Sequence, residues 1–126
     1  MQDTFKKILV VDDEQEVLIH LTNILKRAHY EVISTTKGKE AVQLAKKLKP
    51  DLIILDILIP DMGGEHIFEV LSEDPSTSNI SIIFLTGTIS KEKQEYLRRQ
   101  TGNYCVLAKP ITNEEVLETV SKVLFS

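Results

Sequence analysis

Leu52-Ile53-Ile54-Leu55 is apolar on both faces and ends in Asp56, where a loop punctuated by proline and glycine begins (Ile57-Leu58-Ile59-Pro60-Asp61-Met62-Gly63-Gly64). A short run with no polar face, bounded by Pro50-Asp51 and by Pro60, predicts a central strand of a parallel sheet. Open sheets of that kind gather ligands just beyond the carboxyl ends of their strands. Asp56 stands at such an end, and the rest of the chain can be arranged around it.

A second doubly apolar run, Ile8-Leu9-Val10-Val11, ends in Asp12-Asp13. Helical spacing follows at Val17, Leu18, Leu21, Ile24, Leu25 and Ala28. Tyr30 to Thr35 alternates more weakly and predicts a strand near the sheet edge. Gly38 opens a helix with Ala41, Val42, Leu44, Ala45 and Leu48 on one face, stopped by Pro50. Past Asp56, a short helix is expected from about Gly64, with Ile67, Phe68, Val70 and Leu71 inward. Ile80 to Leu85 predicts another buried strand, ending in Thr86-Gly87-Thr88. Residues 90 to 100 predict a poorly anchored helix, because Tyr96 and Leu97 stand among Lys91, Glu92, Lys93, Gln94, Glu95, Arg98 and Arg99. Tyr104 to Ala108 is the last strand and runs into Lys109-Pro110. Thr112 and Glu115 form a capping box for a final helix with Val116, Leu117, Val120, Val123 and Leu124 inward.

Five strands alternating with five helices predict an α/β, doubly wound parallel sheet covered on both faces. Right-handed crossovers bring every strand's carboxyl end to one edge. At 126 residues the chain is read as a single domain over 1–126. Its formal charge of -4 gives no general attraction to nucleic acid or anionic membrane. No apolar run approaches a membrane span, and the first seven residues lack an apolar signal core. One cysteine, Cys105, allows no intrachain disulfide and fits a reducing compartment. A cytoplasmic protein is expected.

The edge collects Asp12-Asp13, Asp56, Thr86 and Lys109. Clustered carboxylates repel one another and raise their pKa values unless a cation intervenes. An all-oxygen set suits Mg²⁺, which keeps water and prefers carboxylate and phosphate oxygens. A lysine ammonium suits a phosphoryl oxygen, and the Thr86 hydroxyl can donate to a second. This is a phosphoryl-transfer set built on a carboxylate nucleophile.

Through Asp12-Asp13, Asp56, Pro60 and Gly64, Thr86-Gly87 and Lys109-Pro110, in that order at successive strand ends, the chain resembles the CheY-like receiver domains of two-component response regulators over essentially its whole length. The resemblance implies a flavodoxin-like (βα)5 fold with strand order 2-1-3-4-5. It implies that Asp56 takes a phosphoryl group from a phosphohistidine on a sensor histidine kinase or phosphotransfer protein. Asp13, Asp56 and the backbone carbonyl of Leu58 would hold Mg²⁺, with Asp12 acting mainly through water. Lys109 would pair with the phosphoryl group, Thr86 would swing toward it, and the Lys109-Pro110 bond would be cis. Such a domain is a signalling switch that assists only its own phosphorylation and dephosphorylation. Its output partner would meet the face built from the helix at 90 to 100, the last strand and the last helix, which could also support weak homodimerisation.

Two positions depart from the pattern. The usual aromatic three residues before the lysine is replaced by Val106, with Tyr104 two positions earlier on the same strand face. Position 58, two beyond the acceptor, is leucine, which could shield a phosphoryl group from water, while Thr88 gives no direction.

Plainer explanations exist for single residues. Asp13 with Glu16 reads alone as a helix cap. His20, His29 and His66 have no mutual spacing of a metal site, Cys105 reads as a small strand hydrophobe, and lysines 37, 39, 46, 47 and 49 read as a solvated helix face. A rival function is a binding module of the same fold that signals without phosphorylation. Flavin and nucleotide carriers are set aside, since Asp12-Asp13 would repel a phosphate and no GxxxxGK[ST] loop exists.

Overall fold

The computed structural model describes residues 5–87, 92, 95, 96 and 105–125. Five strands, β1 (Lys7–Val11), β2 (Glu31–Thr35), β3 (Leu52–Asp56), β4 (Ser81–Thr86) and β5 (Cys105–Ala108), form one parallel sheet in the order β2-β1-β3-β4-β5. Four helices are described in full: α1 (Gln15–Arg27), α2 (Gly38–Leu48), α3 (Gly64–Glu73) and α4 (Asn113–Phe125). The predicted helix at 90 to 100 lies mostly outside the described residues, although 92, 95 and 96 are helical. Tyr104 and Thr88 lie outside them as well. Among the described residues no helix is long and apolar enough to cross a membrane.

The doubly apolar runs are buried on both faces because strand alternation sends neighbours to opposite layers. Ile8, Val10, Leu52, Ile54, Ile83 and Leu85 pack with Leu18, Leu21 and Leu25 of α1 and with Val116 and Val120 of α4. Leu9, Val11, Ile53, Leu55, Ile82 and Phe84 pack with Ala41 and Ala45 of α2 and with Ile67 and Leu71 of α3. Each fully buried aliphatic side chain contributes roughly 1.5–3 kcal/mol. The sheet is therefore a rigid platform for whatever stands at its edge. β2 lies at the margin, as its weaker alternation predicted.

Helix ends follow local chemistry. Thr112 and Glu115 make the reciprocal bonds of a capping box at α4, 3.0 and 3.1 Å long. α1 ends with His29 in the left-handed region (φ 71°), and the Tyr30 N–H returns to the Leu25 carbonyl at 3.1 Å. α2 ends likewise at Lys49 (φ 47°) before Pro50. Asp13 does not cap α1. Glu14 is the N-cap residue, and its side chain makes no capping bond.

Candidate functional site

Register carries the strand ends to one edge. Val11 pairs with Leu55, Asp56 with Leu85 and Thr86 with Ala108. Asp12 and Asp56 thus stand at the ends of the adjacent strands β1 and β3, and Lys109 follows β5 one strand beyond β4, although 44 and 53 positions separate them in the chain. The loop after β3 is drawn in tightly. The Ile57 N–H bonds the Leu85 carbonyl and the Gly64 N–H bonds the Ile57 carbonyl, at 3.1 and 2.9 Å. Ile57 and Ile59 are buried beneath the α2–α3 layer, while Leu58 between them is 70% exposed.

Oxygens of Asp12, Asp13 and Asp56 lie within 4.8 Å of one another. Asp12 is fully buried and Asp13 exposed. The Lys109 ammonium lies 2.8 Å from Asp12 Oδ2, 2.9 Å from Glu14 Oε1 and 3.4 Å from Asp56 Oδ2. It meets Asp12 Oδ2 close enough for a strong ion pair but out of line for a hydrogen bond, so among the described residues this buried oxygen has no aligned donor. The other Asp12 oxygen accepts the Glu14 N–H at 2.9 Å.

Burial pushes the Asp56 carboxyl up to about 6. The Leu58 N–H, which donates to Asp56 Oδ1 at 3.1 Å, opposes that rise; the Asp12 charge adds to it; Lys109 reduces it. Desolvation is the leading cause, where the sequence suggested mutual repulsion. At Lys109 partial burial disfavours the charged form, but Asp12, Glu14 and Asp56 outweigh it and hold the ammonium above the ordinary lysine range.

An all-oxygen, net-negative donor set with one buried oxygen lacking an aligned donor fits a small hard divalent cation such as Mg²⁺. Thr86 is buried at the end of β4, and its carbonyl accepts the Lys109 N–H at 2.7 Å. The Lys109-Pro110 bond is cis. Val106 is half-buried, opposite Phe84 in register, and packs against the α2–α3 layer. His20, His29 and His66 are exposed, as are lysines 37, 39, 46, 47 and 49.

Two participants escaped the sequence reading. Glu14 pairs with Lys109 across 95 positions. Asp61 accepts the Gly38 and Lys39 N–H groups at 2.8 and 3.1 Å, tying the loop after β3 to the start of α2. The signal for Asp61 was present, since α2 has no capping side chain of its own at Lys37.

The response regulator receiver domain family matches residues 8–121. Protein PilH of Pseudomonas aeruginosa is 32% identical over 118 residues, covering 94% of this chain and 97% of PilH. The polar-differentiation response regulator DivK of Brucella anthropi is 30% identical over 119 residues, covering 94% of this chain and 96% of DivK. Among solved structures, the chemotaxis response regulator CheY4 of Vibrio cholerae superposes with a TM-score of 0.88 at 31% identity, over 96% of this chain and 100% of that one. With the sheet order, the strand-end residues and these relatives in agreement, the chain belongs to the receiver domain family of two-component response regulators.

Proposed function

We propose that residues 1–126 form one cytoplasmic receiver domain that accepts a phosphoryl group on Asp56 from a sensor histidine kinase or phosphotransfer protein, and that this changes the surface offered to an output partner. The observation that carries the reading is the Lys109 ammonium, 3.4 Å from an Asp56 oxygen within a cluster of three aspartates. An Asp56 oxygen attacks phosphorus, the phosphorus–nitrogen bond of the donor imidazole breaks, and the leaving imidazole takes up a proton. An acyl phosphate results. Lys109 pairs with a phosphoryl oxygen, and the Thr86 hydroxyl donates to another. Asp12, Asp13, Asp56 and the Leu58 backbone carbonyl would hold Mg²⁺, which when bound offsets the charge of the carboxylates and phosphoryl oxygens. The domain acts on its own aspartate and turns over no separate substrate.

Incubation with Mg²⁺ and acetyl phosphate tests this. The expected result is a mass gain of one phosphoryl group, absent in Asp56→Asn and without Mg²⁺. No gain in the wild-type protein would favour the second reading, a binding module that works without phosphorylation. The observation favouring that reading is Val106, half-buried where the family usually has an aromatic to couple with Thr86.

A further inference from the structure

Three carboxylates lie within 3.4 Å of the Lys109 ammonium, which donates hydrogen bonds to Glu14 and Asp56 and forms an ion pair with Asp12. A phosphoryl oxygen that reaches this ammonium enters a crowd of negative charge and competes with the carboxylates already there. The three differ in how easily they can give way. Asp12 is buried and 2.8 Å away. Asp56 is the group to be modified. Glu14 is 2.9 Å away, closer than Asp56, yet its side chain is 61% exposed, so water can replace the lysine at little loss.

The backbone explains why Glu14 is there. It is the N-cap residue of α1, and its carbonyl accepts the Val17 and Leu18 N–H groups at 3.1 and 3.2 Å. A short N-cap side chain such as aspartate or serine ordinarily turns back onto its own helix. The Glu14 side chain does not. The Glu14 N–H is instead held by Asp12 Oδ1, and its carboxylate reaches Lys109.

We propose that Glu14 is a positioning residue that competes with the phosphoryl group for the Lys109 ammonium, so that phosphorylation exchanges an exposed carboxylate for a phosphoryl oxygen. The inference rests on Asp56 being the phosphoryl acceptor. It makes Glu14 a brake on the phosphorylated state, acting through Lys109 rather than on phosphorus. Glu16 supplies the control, because it lines the same groove beside Lys109, Val17, His20 and Pro110 but is not among the ammonium's three partners.

The test is calorimetric titration of the intact protein with Mg²⁺ and beryllofluoride, a phosphoryl mimic, at about 0.15 M salt, where repulsion through solvent is screened beyond about 8 Å. Glu14→Gln should bind roughly three- to fivefold tighter than wild type, and Glu16→Gln should stay near wild type. In a Lys109→Ala background the Glu14→Gln gain should vanish. An equal gain in Glu16→Gln, or a gain that persists without Lys109, overturns the proposal in favour of general charge repulsion. Wild-type binding with Glu14→Gln no tighter overturns the proposal alone. Wild-type protein that binds no beryllofluoride overturns the phosphoryl-acceptor reading as well.

Discussion

Gly64 lies so close to the Asp56 carbonyl that no side chain fits between them: a Cβ at Gly64 would meet that oxygen and come within 2.9 Å of the Ile57 Cα. Both obstacles are backbone and cannot swing aside. The start of α3 is thereby fixed against the residue that carries the chemistry. Its N–H bond to the Ile57 carbonyl adds a second tie.

Gly64→Ala should therefore destabilise the fold by about 1–3 kcal/mol through overpacking. It should also impair Asp56 phosphorylation by acetyl phosphate more than a mutation of equal destabilisation in α2. Urea unfolding and initial rates together check this. A variant with wild-type stability would show that the loop can yield.

Asp56 makes the metal-free protein sensitive to pH. Its folded carboxyl titrates at about 6 against an ordinary 3.8, so the fold prefers the protonated form. That preference contributes stability in full below 3.8, and the contribution is lost as pH rises through about 6. Its size is roughly 2–3 kcal/mol. In EDTA, the stability difference between Asp56→Asn and wild type should grow in favour of the variant between pH 4 and pH 7. Millimolar Mg²⁺ should narrow the gap at pH 7 and leave it unchanged at pH 4. Parallel profiles for the two proteins would contradict the burial argument.

Asp61 should show the opposite sign. Its bonds from the Gly38 and Lys39 N–H groups hold its carboxyl below the usual range. The contribution is present above the ordinary carboxylate pKa and is lost as pH falls through the depressed value. Asp61→Ala should lower the thermal midpoint at pH 7 by roughly 2–5 °C, with the difference shrinking as the pH falls below the ordinary carboxylate range. An undiminished difference at low pH would point to packing rather than the cap.

Lys49 occupies the left-handed region at φ 47°, where a Cβ is unfavourable. Its N–H still bonds the Ala45 carbonyl, a bond that glycine keeps. Lys49→Gly should stabilise the protein by about 0.5–1 kcal/mol in urea unfolding. A loss of stability would mean that the lysine side chain contributes more than the backbone strain removes.

Much of this arrangement could be read from residue order. Ile8–Val11 and Leu52–Leu55 have no polar face, which leaves only the middle of a covered parallel sheet. Once strands alternate with helices, crossover handedness sends Asp12, Asp56, Thr86 and Lys109 to one edge whatever the intervening distances. The capping box of Thr112 and Glu115 was equally plain, because all its partners lie within one helical turn.

Tertiary packing decided the rest. Adjacent Asp12 and Asp13 look alike in sequence, but strand alternation and the approach of β5 bury the first against Lys109 and leave the second in solvent. Packing also recruited Glu14 and Asp61, one to a lysine and one to a helix start, and made desolvation the main reason Asp56 resists ionisation. Periodicity records which face of one element is apolar. It carries no record of which charged group another element will press against that face, because that depends on register, and on how much water the finished edge admits.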